Sequence, residues 1–317
     1  MTKIICGVDV SSLSLDAYVQ PGGSRSFGNN PQGIAQLVNY CREQRVELVA
    51  MEASGGYEKN AEKKLWAEEL AVTLLNPRAV RQFAKGMGML EKTDRIDARM
   101  IAWYAQVKGS QPSVPASAAQ QRLKALATRL RQVTEMAAGE KNKRCLVQDE
   151  AVEESFAVLR KAMQAEMRRL EQAIAELLQS DPLWQKLDQA LRSIKGVAGR
   201  TVARVLAEMP EIGTLPHKAV SKLAGVAPLA ADSGKHEGKR VIRGGRRNVR
   251  AILYIVAGVV RKHNADFAAF AERLAAAGKA KKVIRVALAH KLLVRLNARA
   301  RDARRAFANT APVHGKT

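Results

Sequence analysis

Cysteine is scarce in this chain of 317 residues: Cys6, Cys41 and Cys145 are odd in number, scattered, and without a CxxC spacing. Neither a disulfide framework nor a zinc site is indicated. No apolar run reaches the length of a spanning helix, and the opening MTKIICGVDVSS goes straight into a strand pattern with no signal peptide. These absences fit a reducing cytoplasm and argue against a membrane partner. Aromatic residues are only 4% of the chain, so few stacking platforms for nucleobases are available. Acidic residues thin out toward the end, where from Asp232 onward 21 Lys and Arg face 5 Asp and Glu, placing +16 of the +23 formal charge there.

Hydrophobic residues make up 47% of the sequence, and the length allows two or three domains with ordinary cores. The net charge and a pI near 10.3 create a field that attracts polyanions, nucleic acid foremost.

The first part, to about Gln111, alternates strand and helix signals. KIICGVDV, SLDAYVQ and SRSFG, with a Pro-Gly-Gly turn between the last two, read as an antiparallel meander. PQGIAQLVNYCREQ reads as a helix, VELVAME as a buried strand, EKNAEKKLWAEEL as a helix, AVTLLN as a strand and DRIDARMIAWYAQ as a closing helix. One sheet with helices, an α/β layer, is the expected result. GSQPSVPAS at Gly109 to Ser117 reads as a linker. Beyond it Leu123, Leu126, Leu130, Val133 and Ala137, then Leu159, Met163, Leu170, Ile174 and Leu177, form seams of coiled-coil type interrupted near GEKNKRC. Such a hairpin packs on its own domain or serves as a dimerisation arm. From Trp184 onward the chain reads as helical, broken by KGVAG and by the glycine-rich basic loop ADSGKHEGKRVIRGGRRN, and it frays after Asn309.

Four carboxylates stand out. Asp9 ends the first strand in GVDVSS, Glu52 ends a later one in AMEASGGYE, and Asp94 and Asp97 in KTDRIDA share a helix face at a spacing of three. Like charges so placed repel. A solvated surface tolerates them at little cost, whereas a site for hard divalent cations requires oxygen ligands of this kind. Two such ions about 4 Å apart would serve an in-line phosphoryl displacement. In the basic loop, Ser233 is followed by Gly234, Lys235, Lys239, Arg240, Arg243, Arg246, Arg247 and Arg250. Glycine N–H groups, a helix N-terminus and guanidinium forks are groups that hold phosphate. Ser and Gly are also ordinary turn residues, and no activating partner for Ser233 can be assembled from spacing.

In order, GVDVS, MEASGGYE and KTDRIDA, a coiled-coil insert, then IKGVAGRTVARVLAEM, KLAGVAPLAADSGKHEGK and IRGGRRNVRAIL resemble the DEDD transposases of the insertion-sequence 110 family, which are bridge-RNA-guided recombinases. The resemblance implies an RNase H-like (RuvC-like) α/β domain over 1–111, a linker and coiled-coil dimerisation region over 112–182, and a mainly α transposase domain with a serine loop and basic tail over 183–317. It implies Asp9, Glu52, Asp94 and Asp97 as ligands of Mg²⁺, with Mn²⁺ as a substitute, and Ser233 as a nucleophile that forms a phosphoserine link to DNA. It implies target and donor DNA, a noncoding guide RNA and further copies of the chain, as dimer or tetramer, as partners. In such a family the acidic site and the serine loop form a composite site across subunits, in a bacterial nucleoid-associated protein. IKGVAGRTVARVL resembles a helix-hairpin-helix turn, with Ala198 in place of its second glycine. Two other readings remain: a RuvC-like, Mg²⁺-dependent structure-specific nuclease that does not use Ser233, and a basic nucleic-acid-binding protein with structural acids.

Overall fold

The computed structural model describes residues 3–89, 94–113, 115–147, 149–230, 232–234, 238 and 240–310. The chain divides into two compact units, Met1–Ala116 and Ser117–Thr317.

The first unit is built on one sheet. β1 (Ile5–Val10), β2 (Ser14–Val19) and β3 (Gly23–Gly28) form the antiparallel meander, and β4 (Leu48–Glu52) and β5 (Val72–Leu75) run parallel to β1 in the order β3-β2-β1-β4-β5. This mixed order is that of an RNase H-like sheet. Side chains alternate between the two faces. Cys6, Val8 and Val10 of β1 and Val49 and Met51 of β4 face one side, where they pack with α1 (Pro31–Glu43) and α2 (Lys59–Ala67). Ala50 and Leu75 face the other and pack with α3 (Pro77–Gly86) and α4 (Asp94–Val107).

Helix α3 was not anticipated from the sequence. Its start signal is nonetheless present: Asn76 caps the Arg78 N–H and Pro77 occupies the first turn. Val80 and Ala84, four apart, are its buried stripe. The Pro/Ser stretch after α4 is tied to the sheet, because the Ser113 N–H donates to Val72 O (2.8 Å) and its Oγ accepts from the Leu74 N–H (3.2 Å). It thereby covers the open edge of β5.

The second unit is helical. α5 (Ala118–Arg144) and α6 (Glu150–Gln179) form the hairpin, followed by α7 (Pro182–Arg192), α8 (Gly199–Glu208), α9 (His217–Ala224), α10 (Arg247–His263), α11 (Ala265–Ala276) and α12 (Lys281–Thr310). The interruption expected near GEKNKRC begins at the end of that stretch: α5 continues through Gly139 to Arg144 with Cys145 as its C-cap, and α6 restarts on an Asp149 cap. The hairpin seam is also turned slightly from expectation. Ala127 and Leu178 are buried, whereas Leu126 and Leu177 are only partly so. The reason is that the inner end of the hairpin joins the core shared with α7 and α8, and Gln120 Nε2 donates to Leu206 O at 2.9 Å. At the outer end Leu146, Val152, Val158 and Leu159 are exposed.

α12 runs through the centre of this core with Ile284, Leu288, Leu292, Leu293, Leu296 and Ala300 buried. Asn297, also buried, accepts from the Gly213 N–H (2.8 Å) and donates to Leu215 O (2.9 Å). Gly196 lies in the turn before α8 with φ of +95°, its α-carbon turned toward the Val260 backbone. No helix among the described residues is long and apolar enough to cross a membrane.

Strand and helix pack very closely at Gly7, where a Cβ would stand 2.1 Å from the Ala98 carbonyl oxygen and 2.5 Å from the Ala102 nitrogen. Gly7→Ala is expected to destabilise by about 1–3 kcal/mol or more, read as a lower urea midpoint. Gly139→Ala, in open helix surroundings, should instead stabilise by up to about 1 kcal/mol.

Candidate nucleic-acid active site

The contact at Gly7 defines the face on which the acids lie. Gly7 points at α4, and strand residues two apart share a face, so Asp9 is on the α4 side. Ala50 packs against Met100, Ile101 and Ala105 of α4, and Glu52, two residues on, lies on that side as well. β1 and β4 pair in parallel with Val8 beside Met51, so the next step along the ladder sets Asp9 beside Glu52. Asp97 adjoins Ala98, whose carbonyl lies over Gly7. Asp9, Glu52 and Asp97 are all half-buried. Asp94 is the first residue of α4; its side chain lies outside the described residues.

A further carboxylate shares this face. Asp16 on β2 is the direct cross-strand partner of Asp9, and Ser14 Oγ donates to its Oδ2 at 3.0 Å. Like charges directly opposite on a sheet are destabilising, and a cation bound among them would relieve the repulsion. Among the described residues no set of three or more His, Cys, Asp or Glu side chains converges closely enough to hold a metal ion. The donor set itself, oxygen only, fits a hard divalent cation rather than a soft one. Asp16 went unremarked in the sequence because it sits in an alternating strand, where its face could be assigned only through the pairing with Asp9.

The loops that follow the two acid-bearing strands are firmly held. Glu58 is buried and accepts from the Ser54 N–H (3.1 Å), Ser54 Oγ (2.9 Å) and the Gly56 N–H (2.8 Å). Gly55 and Gly56 turn the chain at φ of +79° and +123°, values that suit glycine. Asn29, just past β3, donates through Nδ2 to Ser11 O (2.8 Å) and Tyr57 O (3.1 Å).

In the second unit, Leu229 and Val241 pair as an antiparallel bridge that closes the basic loop. Asp232 accepts from the Gly238 N–H (3.1 Å) and Arg240 Nη1 (2.6 Å), and the Arg240 guanidinium holds its carboxyl below the usual range. Ser233 is exposed and Gly234 follows with φ of +54°. Lys235 and Lys239 lie outside the described residues, as does His236. Arg246 is bound bidentately by Glu211 (2.7 and 2.6 Å) and also donates to Glu208 O at 2.7 Å. Burial pushes Glu211 up, but the Arg246 hydrogen bonds, the Glu211 backbone N–H and the charges of Arg246 and Lys124 together outweigh it and hold the carboxyl low. Arg250 donates to Gly244 O. Arg243 and Arg247 are exposed, and the first turn of α10, which Arg247 opens, has no side-chain cap. Acids are sparse in this part of the sequence, yet the loop has two carboxylate partners. Asp232 is local, and Glu211 arrives from a distant segment.

Two family models match the chain, the first reaching from the sheet unit through α5 of the helical one. Residues 6–150 match the DEDD transposase profile of the IS110 family, and residues 188–272 match that of the transposase IS116/IS110/IS902 family. The chain belongs to the IS110 family of DEDD transposases. The pilin gene-inverting proteins of Moraxella lacunata and Moraxella bovis are each 25% identical to it over 312 residues, spanning 92% of this chain and 94% of theirs. Among solved structures, Thermus thermophilus RuvC aligns at 17% identity with a TM-score of 0.27, covering 35% of this chain and 99% of that one. As an IS110-family transposase the protein binds and modifies DNA.

For this transposase, the Glu58 clamp makes acid stability informative. Burial raises the Glu58 carboxyl, but the N–H groups of Glu58 itself and Gly56, with the Ser54 hydroxyl and N–H, outweigh it and leave it lowered. A lowered folded value means stabilisation that is full above the unfolded value, about 4.3, and lost as pH falls through the folded one. Glu58→Gln is expected to cost about 1–3 kcal/mol near neutral pH and to flatten the loss of thermal midpoint below pH 5, measured by calorimetry.

Proposed function

We propose that this transposase cuts and rejoins DNA strands, using Asp9, Glu52, Asp94 and Asp97 to hold Mg²⁺ and Ser233 as a nucleophile, with a noncoding bridge RNA choosing the target and donor sites. The observation that carries the reading is the placement of Asp9, Glu52 and the start of α4 on one sheet face within a family defined by four acids. The donor chemistry supports Mg²⁺, with Mn²⁺ as an alternative. Divalent cations held there would supply charge stabilisation to the attacking and leaving oxygens of the phosphoryl transfer.

The protein's own groups divide the remaining work. The carboxylates provide oxygen ligands on a rigid sheet edge. The Asp232–Arg240 pair and the Leu229–Val241 bridge present the exposed Ser233 hydroxyl at a closed loop. In the transfer, Ser233 Oγ forms a bond to phosphorus while a P–O bond of the strand breaks, leaving a phosphoserine ester and a free sugar hydroxyl. Arg243, Arg247 and the uncapped first turn of α10 are suited to hold neighbouring phosphates. Arg246 and Arg240 are engaged within the protein and act through loop geometry. The acids and Ser233 lie in different units, and strand exchange calls on both. The exposed apolar residues on the outer end of the α5–α6 hairpin support association into dimers or tetramers.

The test incubates the protein and its element-end RNA with labelled DNA and Mg²⁺, then denatures it. Wild type is expected to carry covalent label, Ser233→Ala none, and Asp9→Asn or Glu52→Gln neither label nor cut DNA. Cleavage without an adduct would assign a hydrolytic RuvC-like nuclease instead. No chemistry at all with the RNA present would leave a binding protein.

Binding should be strongly salt-dependent. Replacing Arg243 or Arg247 with Ala is expected to reduce the slope of log affinity against log salt by about 1 each, measured by fluorescence anisotropy across a salt series.

A further inference from the structure

Of the six Phe, five Tyr and three Trp in the chain, Tyr57 alone is exposed, at 57%. It stands five residues past Glu52. Leu13, four residues past Asp9, is 83% exposed. These two apolar side chains therefore lie on the loops that leave the two acid-bearing strands.

The loops are joined through one residue. The Asn29 N–H donates to Leu13 O (2.8 Å), and its Nδ2 donates to Ser11 O and Tyr57 O. Ser11 Oγ also accepts from the N–H groups of Leu13 (3.2 Å) and Ser14 (2.8 Å). On the other side Glu58 fixes the turn through Ser54 and Gly56. Both backbones are thus rigid where the side chains stand in water. A mobile loop could fold its apolar residues away; these loops hold them out, and a preorganised surface loses less entropy on binding.

We propose that Leu13 and Tyr57 form an apolar rim beside the acidic face, on which a nucleobase next to the reacting phosphate stacks. This rests on the reading of that face as a DNA-cleaving site. A phenol ring offers its face to any base without regard to sequence, and a leucine is a common wedge at a base step. Lys59, two residues beyond Tyr57 and with its ammonium reaching back toward Gly56, adds a cation for the adjoining phosphate. A second copy of this chain is the competing occupant, but Lys59 beside the patch suits a phosphate-bearing strand.

The experiment uses the full chain with its element-end RNA and DNA substrates carrying 2-aminopurine at each position around the wild-type cut, with Ca²⁺ in place of Mg²⁺ to hold the uncut complex. Quenching of the probe at a base adjoining the cut is expected with wild type, Tyr57→Phe and Asp9→Asn. Tyr57→Ala should lose the quenching and weaken binding on the order of ten-fold, and Leu13→Ala should reduce it. Wild-type cutting together with unchanged quenching in the folded Tyr57→Ala, Leu13→Ala double variant would overturn the rim and leave the cleavage reading standing. Wild type that neither binds nor cuts would overturn both. A sedimentation shift in the double variant with quenching unchanged would give the rim to a second copy.

Discussion

The backbone approach of α4 to β1 at Gly7 is the constraint on which the first unit depends. A helix can lie this close to a strand only where the strand carries no side chain, and Gly7 is that position. Once the contact is made, the two-residue alternation of strands assigns the rest. Asp9 lies on the helix side, Ala50 and then Glu52 follow through the parallel ladder, and Asp16 follows through the antiparallel one. The same contact brings the first turns of α4, with Asp94 and Asp97, to the sheet. An acidic face is therefore a consequence of packing rather than of attraction among its members, which repel one another.

The basic loop of the second unit shows charge used in two ways. Arg246 and Arg240 are matched by Glu211 and Asp232. A bidentate, half-buried pair such as Arg246–Glu211 fixes geometry because losing either partner strands the other charge. Arg243 and Arg247 remain exposed, and among the described residues no ion pair with a carboxylate offsets their attraction to phosphate. The loop thus has a rigid base and a cationic surface, and Ser233 sits at the end of the Asp232–Arg240 clasp.

Much of the fold could be read from residue patterns. The five strands and the helices between them follow from β-branched runs, period-two alternation and Asn-Pro or Pro starts. Helix α3 escaped because PRAVRQFAKG has only two buried positions, so its apolar stripe is faint even though its cap is clear. The hairpin seam was visible, but its rotation was not. A heptad pattern reports which residues prefer burial, while the presence of α8 against the inner end decides whether Leu126 or Ala127 turns inward. The supporting groups of the site, Asn29, Glu58 and Glu211, were also hidden, since each acts on backbone or side chains whose proximity is made by the fold.

What the sequence determined by itself is therefore local and chemical: most of the strand and helix segments, the positive field, and the order of motifs that marks the family. What only the tertiary structure decided is which of these share a face. Asp16 became a neighbour of Asp9 through strand pairing, Arg246 was withdrawn from solvent by a glutamate 35 residues earlier, and the loops carrying Leu13 and Tyr57 were joined by Asn29. The physical reason is that side-chain type and periodicity are encoded within a few residues, whereas hydrogen-bond partners and packed faces arise from segments tens of residues apart.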